Sequence, residues 1–241
     1  MRISPQSYCG AVSAVESQVV GYVTTANCKA GQLYLIAQNF QNVDGSNVNI
    51  QDFISSTDMI GGYDDDSSPN IKVWTGSGFY DYYYYAEDLL MNENVWCDGG
   101  MMVEDVTIDL AQGVFFKSAN DCTISVAGMV VPGDEMLVPL QPGVLNLVAN
   151  PFPTKIDING EKVDWTGSLV GGYDDDSSPN LKVWTGNGYY DYFFYTEDLL
   201  MNENVWCDGG MAVEGVYINP CQGFFLKYDE PATAVNLKFI K

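Results

Sequence analysis

Apolar and polar positions in this chain alternate over short runs bounded by Gly, Pro or Asn, and no stretch sustains a helical period. Strands are predicted over residues 19–25 (VVGYVTT), 32–37 (QLYLIA), 71–75 (IKVWT), 79–86 (FYDYYYYA), 103–109, 113–117 (GVFFK) and 123–126. Residues 126–130 (VAGMV) either close this series or open the next, and 144–149 (VLNLVA) matches 32–37. Gly76-Ser77-Gly78 and Gly186-Asn187-Gly188 predict hairpins, and Asp44-Gly45 and Asn159-Gly160 supply tight-turn chemistry. Residues 49–56 (NIQDFISS) fit a single helical turn. The pattern is that of an all-β protein, an antiparallel sandwich or barrel-like fold.

One stretch is used twice. Residues 61–118 and 171–228 align at a constant offset of about 110, and from Met59 roughly 43 of 60 positions are identical without a gap. Most of the differences exchange apolar residues, as with Ile71 for Leu181 and Phe79 for Tyr189. The expected organisation is an N-terminal arm (1–18) followed by two tandem, homologous β units, 19–126 and 127–241.

Charge narrows the function classes. The formal net charge is −22, there is no histidine, and Arg2 is the only arginine. Such a surface lacks the clustered cations that displace counterions from nucleic acid, and it is repelled by anionic membranes. No apolar window is long enough to insert into a membrane, and residues 1–10 carry no signal-peptide core. Without histidine there is no Ser-His-Asp or Cys-His nucleophile and no histidine zinc site. Neither a Walker loop nor a dinucleotide fingerprint is present. Asp164-Trp165-Thr166-Gly167 is one residue away from an aspartic-protease motif and has no counterpart in the other unit. Glu87, Asp88, Glu93 and Asp98 recur as Glu197, Asp198, Glu203 and Asp208, but an Asn-rich loop suits them as turn residues rather than as a glycosidase pair. The chain is expected not to be an enzyme.

Three features carry candidate chemistry. Asp64-Asp65-Asp66 and Asp174-Asp175-Asp176 stay solvated or attract a cation, and Ca²⁺ would find further oxygens in the Ser-Ser-Pro-Asn that follows each run. The aromatic strands put Phe79, Asp81 and Tyr83 on one face and Tyr80, Tyr82 and Tyr84 on the other. One face must be core. Trp74, Tyr80, Tyr82 and Tyr84, with Trp184, Tyr190 and Tyr192, are the candidates for contact with another copy of the chain or with a glycan. The six cysteines allow 15 pairings; local pairing suggests Cys9–Cys28, Cys97–Cys122 and Cys207–Cys221, which suits an oxidising compartment.

Asn150-Pro151-Phe152-Pro153, then Trp184-Thr185-Gly186, then Gln222-Gly223-Phe224-Phe225-Leu226-Lys227 resemble the NPFP…W.G…GQGFF-K repeats of secreted and surface proteins of bacteria. The first unit departs from this pattern, with Asn39 standing where the proline would be and Ala111 preceding Gln112-Gly113. The resemblance implies a secreted or cell-surface β protein with no catalytic site to carry over. Two functional expectations follow. One is a structural protein that self-associates into a layer or filament through its aromatic strands. The other is a calcium-assisted, adhesin-like module for glycans or other ligands.

Overall fold

Six antiparallel strands lie side by side in each half of the chain, in the same spatial order. The structure, a computed structural model, describes residues 20–241. The expected arm and Cys9 lie outside the described residues. In the first half the order is Leu33–Ala37, Gly113–Lys117, Asn70–Trp74, Phe79–Glu87, Glu93–Asp98, Met101–Met102. In the second it is Asn146–Ala149, Gly223–Lys227, Asn180–Trp184, Tyr189–Glu197, Glu203–Asp208, Met211–Ala212. A three-stranded sheet accompanies each. The first is Val20–Cys28, Cys122–Val130 and Phe40–Gln41, and the second is Glu135–Leu140, Val235–Ile240 and Val163–Asp164. The fold is all-β and sandwich-like, as the periodicity predicts.

Each core lies between a six-stranded and a three-stranded sheet. Ile36, Ile71, Trp96, Val114 and Phe116 from the large sheet meet Phe40, Cys122, Ile124 and Val126 from the small one. The single predicted helical turn is present as Ile50–Phe53. Asn49 caps it by accepting from the Gln51 amide, and Ile50 and Phe53 are buried. Burying side chains of this size is worth about 1.5–3 kcal/mol each. Strand Cys122–Val130 runs unbroken across the expected 126/127 boundary and pairs with first-half strands as far as Val130.

The GVFFK run and its counterpart are continuously apolar because both of their faces are covered. Val114 and Phe116 enter the first core and Phe224 and Leu226 the second, while Phe115 and Phe225 turn toward each other between the halves. Their rings lie 6.1 Å apart. The contacts here are reciprocal. Trp74 Nε1 donates to Leu145 O at 2.7 Å, and Trp184 Nε1 to Leu33 O at 2.8 Å. The Ala37 amide donates to Cys221 O, and the Ala149 amide to Ala111 O. A Cβ on Gly223 would lie 3.2 Å from the Gly113 Cα, so glycine at both positions permits the approach.

The cysteine pairings are corrected: all five described cysteines are free thiols. Period two sends Trp96 into the core and leaves Cys97 outside it, whereas Cys122 lies inside the core. Cys207 is three strands from the one that follows Cys221, about 14 Å at normal strand spacing, beyond the reach of a disulfide. Cys28 instead sits opposite Cys122 in the small sheet.

Candidate interaction surface

The acidic loop starts at a glycine pair that no other residue could replace without a shift. A Cβ on Gly61 would lie 2.4 Å from the Ala86 nitrogen, and one on Gly62 2.5 Å from Ser68 Oγ. Gly62 bridges Tyr85, which pins the loop to the end of the aromatic strand. Asp64 then caps its own turn. Its Oδ1 accepts from the Ser67 amide at 2.8 Å and its carbonyl from Ser68 Oγ at 2.6 Å, and the serine hydrogen bonds hold its carboxyl below the usual range. Asp65 accepts from Tyr85 Oη at 2.7 Å, and this bond to the carboxylate raises the phenol well above its ordinary value. The second half repeats the arrangement with Asp174, Asp175 and Tyr195; there the phenol is pushed up to about 12, again chiefly by the carboxylate hydrogen bond. The neighbouring carboxylates face different partners, and among the described residues no three metal-ligating side chains converge.

Beside this loop stands a second turn, built on Asp88. Its Oδ1 accepts from the amides of Leu90 and Asn92, both at 2.8 Å, and its Oδ2 from Asn92 Nδ2 at 3.0 Å and the Met102 amide at 3.1 Å. These bonds, the Asn92 side chain foremost, lower its pKa to about 2. Asp198 makes the same four bonds and is likewise lowered to about 2. The carboxylate is thus a structural anchor, as expected for a turn residue. The chain between Asp88 and Asn92 is held with Met91 in the left-handed region, at φ 66°.

The result is a rigid apolar tip. Leu89, Leu90 and Met91 are between 67% and 80% exposed, and Leu199, Leu200 and Met201 between 70% and 80%. Tyr63, 80% exposed, lies across a shallow basin of about 600 Å³ from Leu89, with Asp64, Asp65 and Asp66 on its rim. A loop so fully hydrogen-bonded does not present three large apolar side chains to water for its own stability.

The aromatic residues proposed from the sequence lie elsewhere. Trp74 and Trp184 are taken up between the halves. Tyr82, Tyr84 and Tyr192 pack against the cores, with Tyr84 5.2 Å from Trp96. Only Tyr80 and Tyr190 of that face are exposed, and Tyr80 Oη donates to Asp98 at 2.8 Å. The face carrying Tyr83 and Tyr85 is the one that borders the acidic loop. Sequence reasoning does not reach the tip, because its leucines sit among carboxylates with turn chemistry. Its signal was an apolar Leu-Leu-Met triplet kept identical in both copies within a polar loop.

No family model matches the chain, and neither a curated protein nor a solved structure matches it.

Proposed function

We propose that this is a non-catalytic structural protein that associates with further copies of itself through its two apolar tips. The carrying observation is the pair of hydrogen-bonded turns that hold Leu89-Leu90-Met91 and Leu199-Leu200-Met201 in solvent. Two such tips on one chain make it bivalent, and bivalent chains form extended assemblies unless their geometry closes a ring. The contact falls on the loops rather than the aromatic strands, because Tyr82, Tyr84, Tyr192, Trp74 and Trp184 are packed within the chain and only Tyr80 and Tyr190 of the proposed rings are exposed. A secreted or cell-surface setting is supported by the acidic composition and the repeat resemblance, and draws no support from disulfides among the described residues.

Acidic rims that meet across such a contact repel, and Ca²⁺ or salt would relieve that repulsion. Light scattering coupled to size exclusion is the test. Masses well above 26.5 kDa are expected, increasing with ionic strength or added Ca²⁺ and returning to monomer in the double variant Leu90→Asp, Leu200→Asp. A monomer under every condition, or assembly untouched by the double variant, would overturn the reading.

A further inference from the structure

The acidic loop has a second side, and there the two halves differ. Between it and the end of strand Gly113–Lys117 the first half holds a polar cleft of about 560 Å³, within the range of small-molecule sites. Asn70 lines it at 5% exposure, and its Oδ1 is buried without a hydrogen-bond partner. An unpartnered buried acceptor of this kind is destabilising, so its presence at the cleft is unexplained by the fold alone. Lys72, also in the lining, is paired with Asp81 at 2.7 Å. Lys117 makes no ion pair among the described residues, and its ammonium is available to a ligand oxygen. Asp66 offers acceptors and Tyr83 an aromatic surface.

In the second half three substitutions act on the same place. Tyr228 replaces Ser118, and its ring is buried with its hydroxyl 3.0 Å from Leu140 O. Asp229 replaces Ala119 and holds Lys227 at 3.4 Å. Phe193 replaces Tyr83, removing a hydroxyl. The counterpart of Asn70, Asn180, is less deeply buried.

We propose that the first half alone carries a binding site for a neutral saccharide, in the cleft lined by Asp66, Asn70, Tyr83 and Lys117. The lining mixes carboxylate, amide and ammonium groups of both signs, which matches ligand hydroxyls that donate and accept at once rather than a polyanion or a bare cation. A pyranose presents hydroxyls around its rim and an apolar C–H face, and Asn70, Asp66 and Lys117 beside the Tyr83 ring provide for both. This site is separate from the apolar tips and does not depend on their role.

The test is titration calorimetry and saturation-transfer NMR on the full chain with cellobiose, maltose, lactose, xylobiose and diacetylchitobiose, with anionic sialyllactose and zwitterionic glycine as probes that carry ionised groups. At least one neutral saccharide is expected to bind at one per chain. Lys117→Ala and Ala119→Asp, both at exposed positions, should weaken it at least tenfold, and the latter imports the second half's lysine partner. Lys227→Ala and the tip double variant should leave it unchanged. The proposal is overturned if no neutral saccharide binds, if two bind per chain, if only the probes with ionised groups bind, or if affinity survives both first-half variants.

Discussion

Two segments with little sequence in common perform one task in the two halves. In the first, Gln51 on the short helix donates from Nε2 to Trp96 O and Val103 O, both at 2.8 Å, and its Oε1 accepts from the Trp96 amide at 2.9 Å. In the second, Asn159 in a turn donates from Nδ2 to Trp206 O at 3.0 Å and Val213 O at 2.8 Å, and its Oδ1 accepts from the Trp206 amide at 2.7 Å. One amide thus spans the edge of the large sheet in each half, reached by a longer side chain from a helix or a shorter one from a turn. The geometry of the duplicated sheet sets which hydrogen bonds must be made. The segment that makes them is free to diverge.

The comparison can be strained first at the tryptophans themselves. Trp96 and Trp206 are almost fully buried, but Trp206 packs on both Trp165 at 5.0 Å and Phe194 at 5.1 Å, whereas among the described residues Trp96 has one ring partner, Tyr84. Trp96→Ala and Trp206→Ala should each cost about 3–5 kcal/mol, the second more than the first, in denaturant titration. Equal losses would show that the additional ring contact contributes nothing. A smaller effect is expected from the clamps. Gln51→Ala and Asn159→Ala each leave the tryptophan amide and the Val103 or Val213 carbonyl without this partner, while the tryptophan carbonyl keeps the Val103 or Val213 amide, for about 1–3 kcal/mol. Similar costs in the two variants would establish that helix and turn are interchangeable supports. A negligible cost at either would break the equivalence.

The smallest effect concerns the tips, where the halves are alike. Asp88 and Asp198 have folded-state pKa values near 2, below the ordinary 3.8. Their contribution to the turns is complete above about pH 4 and is lost as pH falls through about 2, because only the ionised carboxylate accepts all four bonds. The amide resonances of Leu90, Asn92, Leu200 and Asn202 should shift together over that interval. Asp88→Asn should disturb the first tip at neutral pH and leave the second intact. Tips that stay unchanged down to pH 2, or that titrate at separate values, would contradict the matched geometry.

Much of this architecture was legible in the chain. The hairpins, the helical turn and the GVFFK strand follow from local pattern, and the turn role of Asp88 from its Asn-rich setting. The side of the aromatic strand that meets water was not legible, since Phe79–Glu87 is aromatic at alternate positions on both faces. Nor was the fate of Trp74 and Trp184, whose partners Leu145 and Leu33 lie 71 and 151 residues away. The expected disulfides failed for a related reason: nearness along the chain is not nearness across a sheet, where three strands can separate residues only 14 apart in sequence.

By itself, then, the sequence determined the strand-forming segments, their duplication and the chemical character of the loops, because periodicity and turn preference act over a few residues. Tertiary structure alone decided which face of each strand is covered, which thiols are neighbours, and which apolar side chains remain in water. Those outcomes depend on strands brought together from distant parts of the chain, and on the substitutions at Ser118 and Ala119 that give the two halves different surfaces over the same sheet.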